Sequence, residues 1–211
     1  MTAVTTRAIC ASLLLAMLIP LVAQSEAISV IDFNGRKVTL DAPARRIVAL
    51  APHNVENLFS AGAGEALVAV VSSSDFPEQA RALPQVGSFN AYSLEAIAAV
   101  QPDLIVMWGS GNGPGTLAKL EVLGIPIFVS EPRKLQDIPR DIRALGILAG
   151  TVDASEAQAT SLEEALDALQ QRYSQRVPKK VFYEIWNNPL QTINGEHLIS
   201  EVITLCGGRN I

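Results

Sequence analysis

Four short runs of almost unbroken apolar residues, 47–51, 67–71, 104–108 and 125–129, recur along the first two thirds of the chain. Each is about five residues long, the length and composition of strands buried on both faces. Stretches 55–61, 94–100, 116–123 and 135–148 lie between or after these runs and carry apolar residues at helical spacing. Alternation of this kind predicts a parallel α/β sheet, in which ligands settle beyond the carboxyl ends of the strands. Pro52, Ser73 and Trp108 fall at those ends. A β-hairpin over 28–40 precedes the sheet, with Asn34-Gly35 as its expected two-residue turn.

From 154 to 175 the pattern becomes one long helix, with Leu162, Ala165, Leu166, Leu169 and Tyr173 on one stripe. At 1.5 Å per residue it is a rod of about 33 Å, longer than a crossover in a small domain needs. Pro178 ends it, and a second α/β unit follows: a strand over 181–186, a loop through Asn187-Asn188-Pro189, and a helix over 197–205 closed by Gly207-Gly208. One strand and one helix do not bury a core. The expected organisation is therefore an N-terminal parallel-sheet, Rossmann-like lobe over 28–152, a connecting helix over 153–177, and the start of a truncated second α/β lobe over 178–211.

The N-terminus changes the compartment. Arg7 precedes an uncharged, mostly apolar run from Ala8 to Ala23, and Ser25-Glu26-Ala27 offers small residues for cleavage. Residues 1–27 read as a secretory signal peptide. No later run approaches the ~20 apolar residues of a membrane span, so the mature chain is expected to be exported and not inserted. Loss of Arg7 and Glu26 leaves the net charge at −5, which offers nothing to nucleic acid. Cys10 leaves with the peptide and Cys206 stays alone, as a buried free thiol or one whose partner is absent from this chain.

Candidate chemistry is sparse. No Gly-x-Ser-x-Gly elbow is present, and no paired acid and base suggests catalysis. The run Gly109-Ser-Gly-Asn-Gly-Pro-Gly115 follows a strand and precedes a helix, with Glu131 ending the next strand, yet its sixth position is Pro114. That breaks a dinucleotide fingerprint, and the glycines read instead as a flexible rim. His53 and His197 fall in different units, so no metal site is expected. Phe89, Trp108 and Trp186 are apolar walls suited to a large ligand.

The segment from Val38-Thr-Leu-Asp-Ala-Pro to Ile47-Val-Ala-Leu-Ala-Pro52, with Asn54-Val-Glu-Asn-Leu-Phe after it, resembles the periplasmic binding proteins for iron siderophores, haem and vitamin B12. Val70-Val-Ser-Ser-Ser-Asp-Phe-Pro77, Ser93-Leu-Glu95, Gln101-Pro-Asp-Leu-Ile-Val106 and Leu120-Glu-Val-Leu-Gly-Ile-Pro126 extend the resemblance through most of the mature chain. It implies two α/β lobes joined by a long helix, a ligand clamped between them, a periplasmic monomer, and delivery to an ABC importer permease.

Ala51-Pro-His-Asn54, Trp108-Gly109 and Leu205-Cys-Gly-Gly-Arg-Asn-Ile211 place the resemblance nearest the branch that carries cobalamin. The implied ligand is a corrinoid, with haem or a ferric siderophore as alternatives, and no resident cofactor. Pro52, Ser73, Phe89, Trp108 and Trp186 are the implied ligand contacts. Glu95 is the implied docking carboxylate, and Cys206 the implied half of a disulfide. Ser73 and Phe89 stand where the cobalamin branch has tyrosine and tryptophan, so one aromatic face is lost and one is kept. A truncated form without transport activity is the remaining alternative.

Overall fold

The computed structural model describes residues 27–211. The expected signal peptide, except for its last residue, lies outside the described residues. Strands β1 (Ile28–Ile31) and β2 (Lys37–Leu40) pair antiparallel with Ile28 opposite Leu40. Alternation turns Val30, Val38 and Leu40 inward. Their connection is not the two-residue turn the sequence suggests but a five-residue loop over 32–36. The buried Asp32 carboxylate organises it, accepting hydrogen bonds from the backbone N–H of Asn34 (3.0 Å) and Arg36 (2.9 Å) and from Arg36 Nε (2.9 Å). Arg36 then reaches across to donate to the Ile127 carbonyl at 2.9 Å, fixing the hairpin to the sheet.

Strand β3 (Ile47–Ala49), helix α1 (Pro52–Ser60) and β4 (Leu67–Ala69) come next, followed by the small pair β5 (Gly87–Ser88) and β6 (Ala91–Tyr92). Helix α2 (Leu94–Ala99), β7 (Leu104–Trp108), α3 (Thr116–Glu121), β8 (Ile127–Ser130) and α4 (Asp137–Ala149) complete the larger unit. The sheet order is β4-β3-β7-β8, all parallel.

Both sheet faces are covered, and this explains the unbroken apolar runs. Ile47, Ala49, Leu104, Val106 and Phe128 face α1, α4 and α5. Val48, Leu50, Ile105, Met107 and Val129 face α2 and α3 through Ile97 and Leu120.

Helix α5 (Val152–Tyr173) has the expected length, shifted two residues toward the N-terminus. Ser155, Ala159, Leu162, Leu166, Leu169 and Tyr173 form its buried or half-buried stripe, while Ala165 is exposed. At ~100° per residue, Ala165 rotates away from a line that Leu162 and Leu166 share. Helices α4 and α5 meet closely where Gly146 lies against Ser155, since a side chain at 146 would overlap the Ser155 side chain. On the outer edge of that contact, Arg143 pairs with Glu156 (2.8 Å) and Glu163 (2.6 Å).

The expected single strand over 181–186 is two strands broken by Phe182 and Tyr183. Strand β9 (Lys179–Val181) pairs in parallel with β12 (Gly208–Asn210), and β10 (Glu184–Asn187) makes an antiparallel hairpin with β11 (Leu190–Thr192). Helix α6 (Leu198–Leu205) connects the hairpin to β12. Phe182, Ile185, Trp186 and Leu190 are all exposed, and Ile193 is the buried large apolar residue of this unit. Cys206 is exposed beyond the last turn of α6, which excludes the buried free thiol. The Leu135 N–H donates to Glu201 Oε2 at 2.5 Å and ties α6 back to the larger unit.

Candidate functional site

At the carboxyl end of β3 the chain turns through extended Ala51 into α1 without a side-chain cap. Pro52 opens the helix, a position where its fixed φ suits the first turn and its missing N–H costs nothing. His53 and Asn57 follow four residues apart and so share one helix face. That face lines a partly enclosed cavity of about 430 Å³, together with Trp108, Glu131, Arg133 and His197. The two histidines, expected in separate units, therefore stand on opposite sides of one cleft. His197 caps α6 there, its Nδ1 accepting the Ile199 N–H at 3.1 Å.

Trp108 forms the aromatic centre of the cleft. Its ring stands edge-on to His53, with centroids 5.1 Å apart and planes at 88°, and lies tilted against Phe89 at 6.1 Å. Burial lowers the His53 pKa to about 4, against a smaller upward pull from the Glu131 carboxylate. The imidazole is thus neutral at physiological pH, and its Nε2 is buried without a hydrogen-bond partner.

The glycine-rich rim is held, not loose. Glu131 accepts from the backbone N–H of Ser110 at 2.6 Å and from its hydroxyl at 2.9 Å. Asn112 is buried and bonds backbone groups of Trp108, Leu50 and Phe89. Gly111 is required because any side chain there would run into the Trp108 ring.

Of the expected wall residues, Trp108 lines the cavity; Phe89, 41% exposed, packs against the Trp108 ring and Pro52 precedes His53, but neither lines the cavity itself. Ser73 is exposed in the left-handed region at φ 66° and does not line this cavity. Trp186 lies on β10, 59% exposed, with its indole N–H donating to the Asn188 carbonyl of its own hairpin at 3.0 Å.

Asn57, Arg133 and the clamp from Glu131 escape sequence reading. Only the polar pair His53 and Asn57 on one face of α1 left a trace there. Among the described residues no group of three or more His, Cys, Asp or Glu side chains could hold a metal ion. Also among them, no helix is long and apolar enough to cross a membrane.

Glu95 lies away from the cleft, exposed in the first turn of α2. Ser93 caps that helix by accepting the Ala96 N–H at 3.1 Å and donates its hydroxyl to Glu95 Oε2 at 2.9 Å. The helix-end backbone hydrogen bond and then Ser93 hold the Glu95 carboxyl below its ordinary range, so it is presented as a charged group.

A four-stranded parallel sheet with a long helix leading into a second α/β unit, and a cleft between the two, defines a solute-binding fold. The chain belongs to the periplasmic binding protein family, whose model matches residues 47–211. The vitamin B12-binding protein of Vibrio campbellii is 39% identical over 171 residues, covering 81% of this chain and 62% of that protein. That of Yersinia pestis strain Pestoides F is 38% identical over 175 residues, covering 82% and 62%.

Among solved structures, the periplasmic vitamin B12-binding protein of Vibrio cholerae superposes with a TM-score of 0.75 at 38% identity, covering 80% of this chain and 66% of that one. The periplasmic haem-binding protein of Roseiflexus sp. RS-1 gives 0.69 at 27%, covering 79% and 65%. The chain spans 62% of the length of the curated relatives it matches.

Proposed function

We propose that this chain is an exported periplasmic protein that binds cobalamin and delivers it to an ABC importer, without transforming it. The observation that carries this reading is the cleft built on Trp108, with Phe89 packed on it and His53 neutral beside it, at the carboxyl ends of β3 and β7. A corrin is a broad apolar disc fringed with amides, which calls for an aromatic wall and a few neutral hydrogen-bonding groups. Asn57 and the neutral His53 supply such groups beside Trp108, and His197 lines the same cavity. The names of the relatives point the same way.

The test is titration of the purified protein with cyanocobalamin, haem and a ferric siderophore, followed by tryptophan fluorescence and ligand absorbance. Saturable quenching by cyanocobalamin at the lowest concentration supports the proposal. Tighter binding of haem or the siderophore reassigns the ligand, and silence with all three overturns the binding reading.

Permease docking is assigned to Glu95, which is charged, outward and held by Ser93. Glu95→Arg is expected to reduce capture by the reconstituted importer while leaving cyanocobalamin affinity unchanged. Equal capture of both proteins would remove Glu95 from that role.

A further inference from the structure

We infer that Asn112 is a positioning residue that sets the aromatic wall of the cleft, an inference that rests on the cobalamin reading above. Its side chain is 4% exposed and joins three backbone points that are distant in sequence or lie on different elements. Oδ1 accepts the Trp108 N–H at 2.6 Å, at the end of β7. Nδ2 donates to the Leu50 carbonyl at 2.7 Å, just before the turn into Pro52 and His53, and to the Phe89 carbonyl at 2.5 Å, between β5 and β6. The three segments that carry Pro52, Phe89 and Trp108 therefore converge on one amide.

The chemistry is selective. Two acceptors and one donor must be met within the span of a short planar group, and asparagine alone among side chains of this size carries two donor hydrogens and an acceptor. Aspartate would keep the bond to Trp108 and lose both others. The main chain of Asn112 is itself held, because its backbone carbonyl accepts the Thr116 hydroxyl at 2.6 Å, and Thr116 Oγ1 in turn accepts the Tyr92 hydroxyl at 2.9 Å. This explains why a segment rich in glycine ends in a fixed rim: Gly111 admits the Trp108 ring, and Asn112 locks the backbone on which that ring stands. The 6.1 Å spacing of the Phe89 and Trp108 rings is thus the geometry Asn112 maintains.

The experiment compares cyanocobalamin affinity and thermal midpoint for the parent protein, Asn112→Ala, Phe89→Ala, the double variant, and Leu148→Ala. The last is a core substitution on α4, away from the cleft, that also lowers stability. Asn112→Ala is expected to weaken cyanocobalamin by about tenfold, or ~1.4 kcal/mol, with Leu148→Ala leaving affinity unchanged at a comparable loss of midpoint. In the Phe89→Ala background the effect of Asn112→Ala should shrink, because one of the rings it places is gone.

Equal weakening by Leu148→Ala, or an undiminished effect in that background, would overturn the assignment. Near-UV ellipticity and acrylamide quenching of Trp108 without ligand, in a Trp186→Phe background, separate this outcome from failure of the cobalamin reading. If the parent does not bind cyanocobalamin, a changed Trp108 signal in Asn112→Ala but not in Leu148→Ala still supports positioning. An unchanged one refutes it.

Discussion

Replacing Trp108 with alanine is expected to cost about a hundredfold in cyanocobalamin affinity, ~2.7 kcal/mol, the scale of a central aromatic anchor. Three features concentrate the effect there. The ring lines the cavity, it contacts both His53 and Phe89, and its backbone is fixed by Asn112. The residue is only half-buried, so its loss should spare the sheet beneath, where Leu104 to Met107 supply the core. Binding has to be followed by the visible absorption of the corrinoid or by calorimetry, because the fluorescent reporter is removed. Affinity within about threefold of the parent would move the site away from Trp108.

The second large effect is on stability, through two buried titratable groups of opposite sign. The Asp141 carboxyl accepts the Ser130 hydroxyl at 2.5 Å, and burial raises its pKa from 3.8 to about 6 despite that bond. Its contribution is fully present below pH 3.8 and is lost as pH rises through about 6. His53 behaves in reverse: with its pKa lowered from 6.5 to about 4, its contribution is present above pH 6.5 and is lost as pH falls toward 4.

Asp141→Asn keeps an acceptor for Ser130 and removes the buried charge. It should stabilise the protein at pH 8 by up to about 3 kcal/mol, with the gain vanishing in acid. The variant would then show the acid loss caused by His53 without the opposing contribution of Asp141. Urea unfolding at intervals between pH 4 and pH 8 reads both curves. A variant no more stable than the parent at pH 8 would contradict the raised pKa.

What the sequence revealed follows from where the determining forces lie. Parallel strands covered on both faces leave uninterrupted apolar runs, so β3, β4, β7 and β8 could be placed from runs starting at Ile47, Leu67, Leu104 and Ile125, although β8 itself starts two residues later, at Ile127. The α5 stripe was visible because one face of a long helix repeats its burial. The loop over 32–36 was misread because a side chain, the Asp32 carboxylate, sets it, and no dipeptide preference encodes that. Strand β12 was missed because Gly208-Arg-Asn210 is polar and becomes a strand only by pairing with β9.

The site divides in the same way. Trp108 announced itself by ending an apolar run beside glycines. Asn112 and Glu131 take their roles from partners such as Leu50 and Ser110, 62 and 21 residues away, which no local pattern records.

The contact of Gly146 with Ser155 has a mechanical consequence. Ser155 sits near the start of a 22-residue helix, and Tyr173 at its far end packs beside Gly207, just beyond α6. From Ser155 to Tyr173 the rod extends about 27 Å. A lever of that length magnifies any change of tilt at its base, and its distal end carries the unit in which His197 faces Trp108 across the cleft. Residue 146, outside the cavity, thus makes the close helix contact at the base of the rod whose far end leads into the His197 side of the cleft.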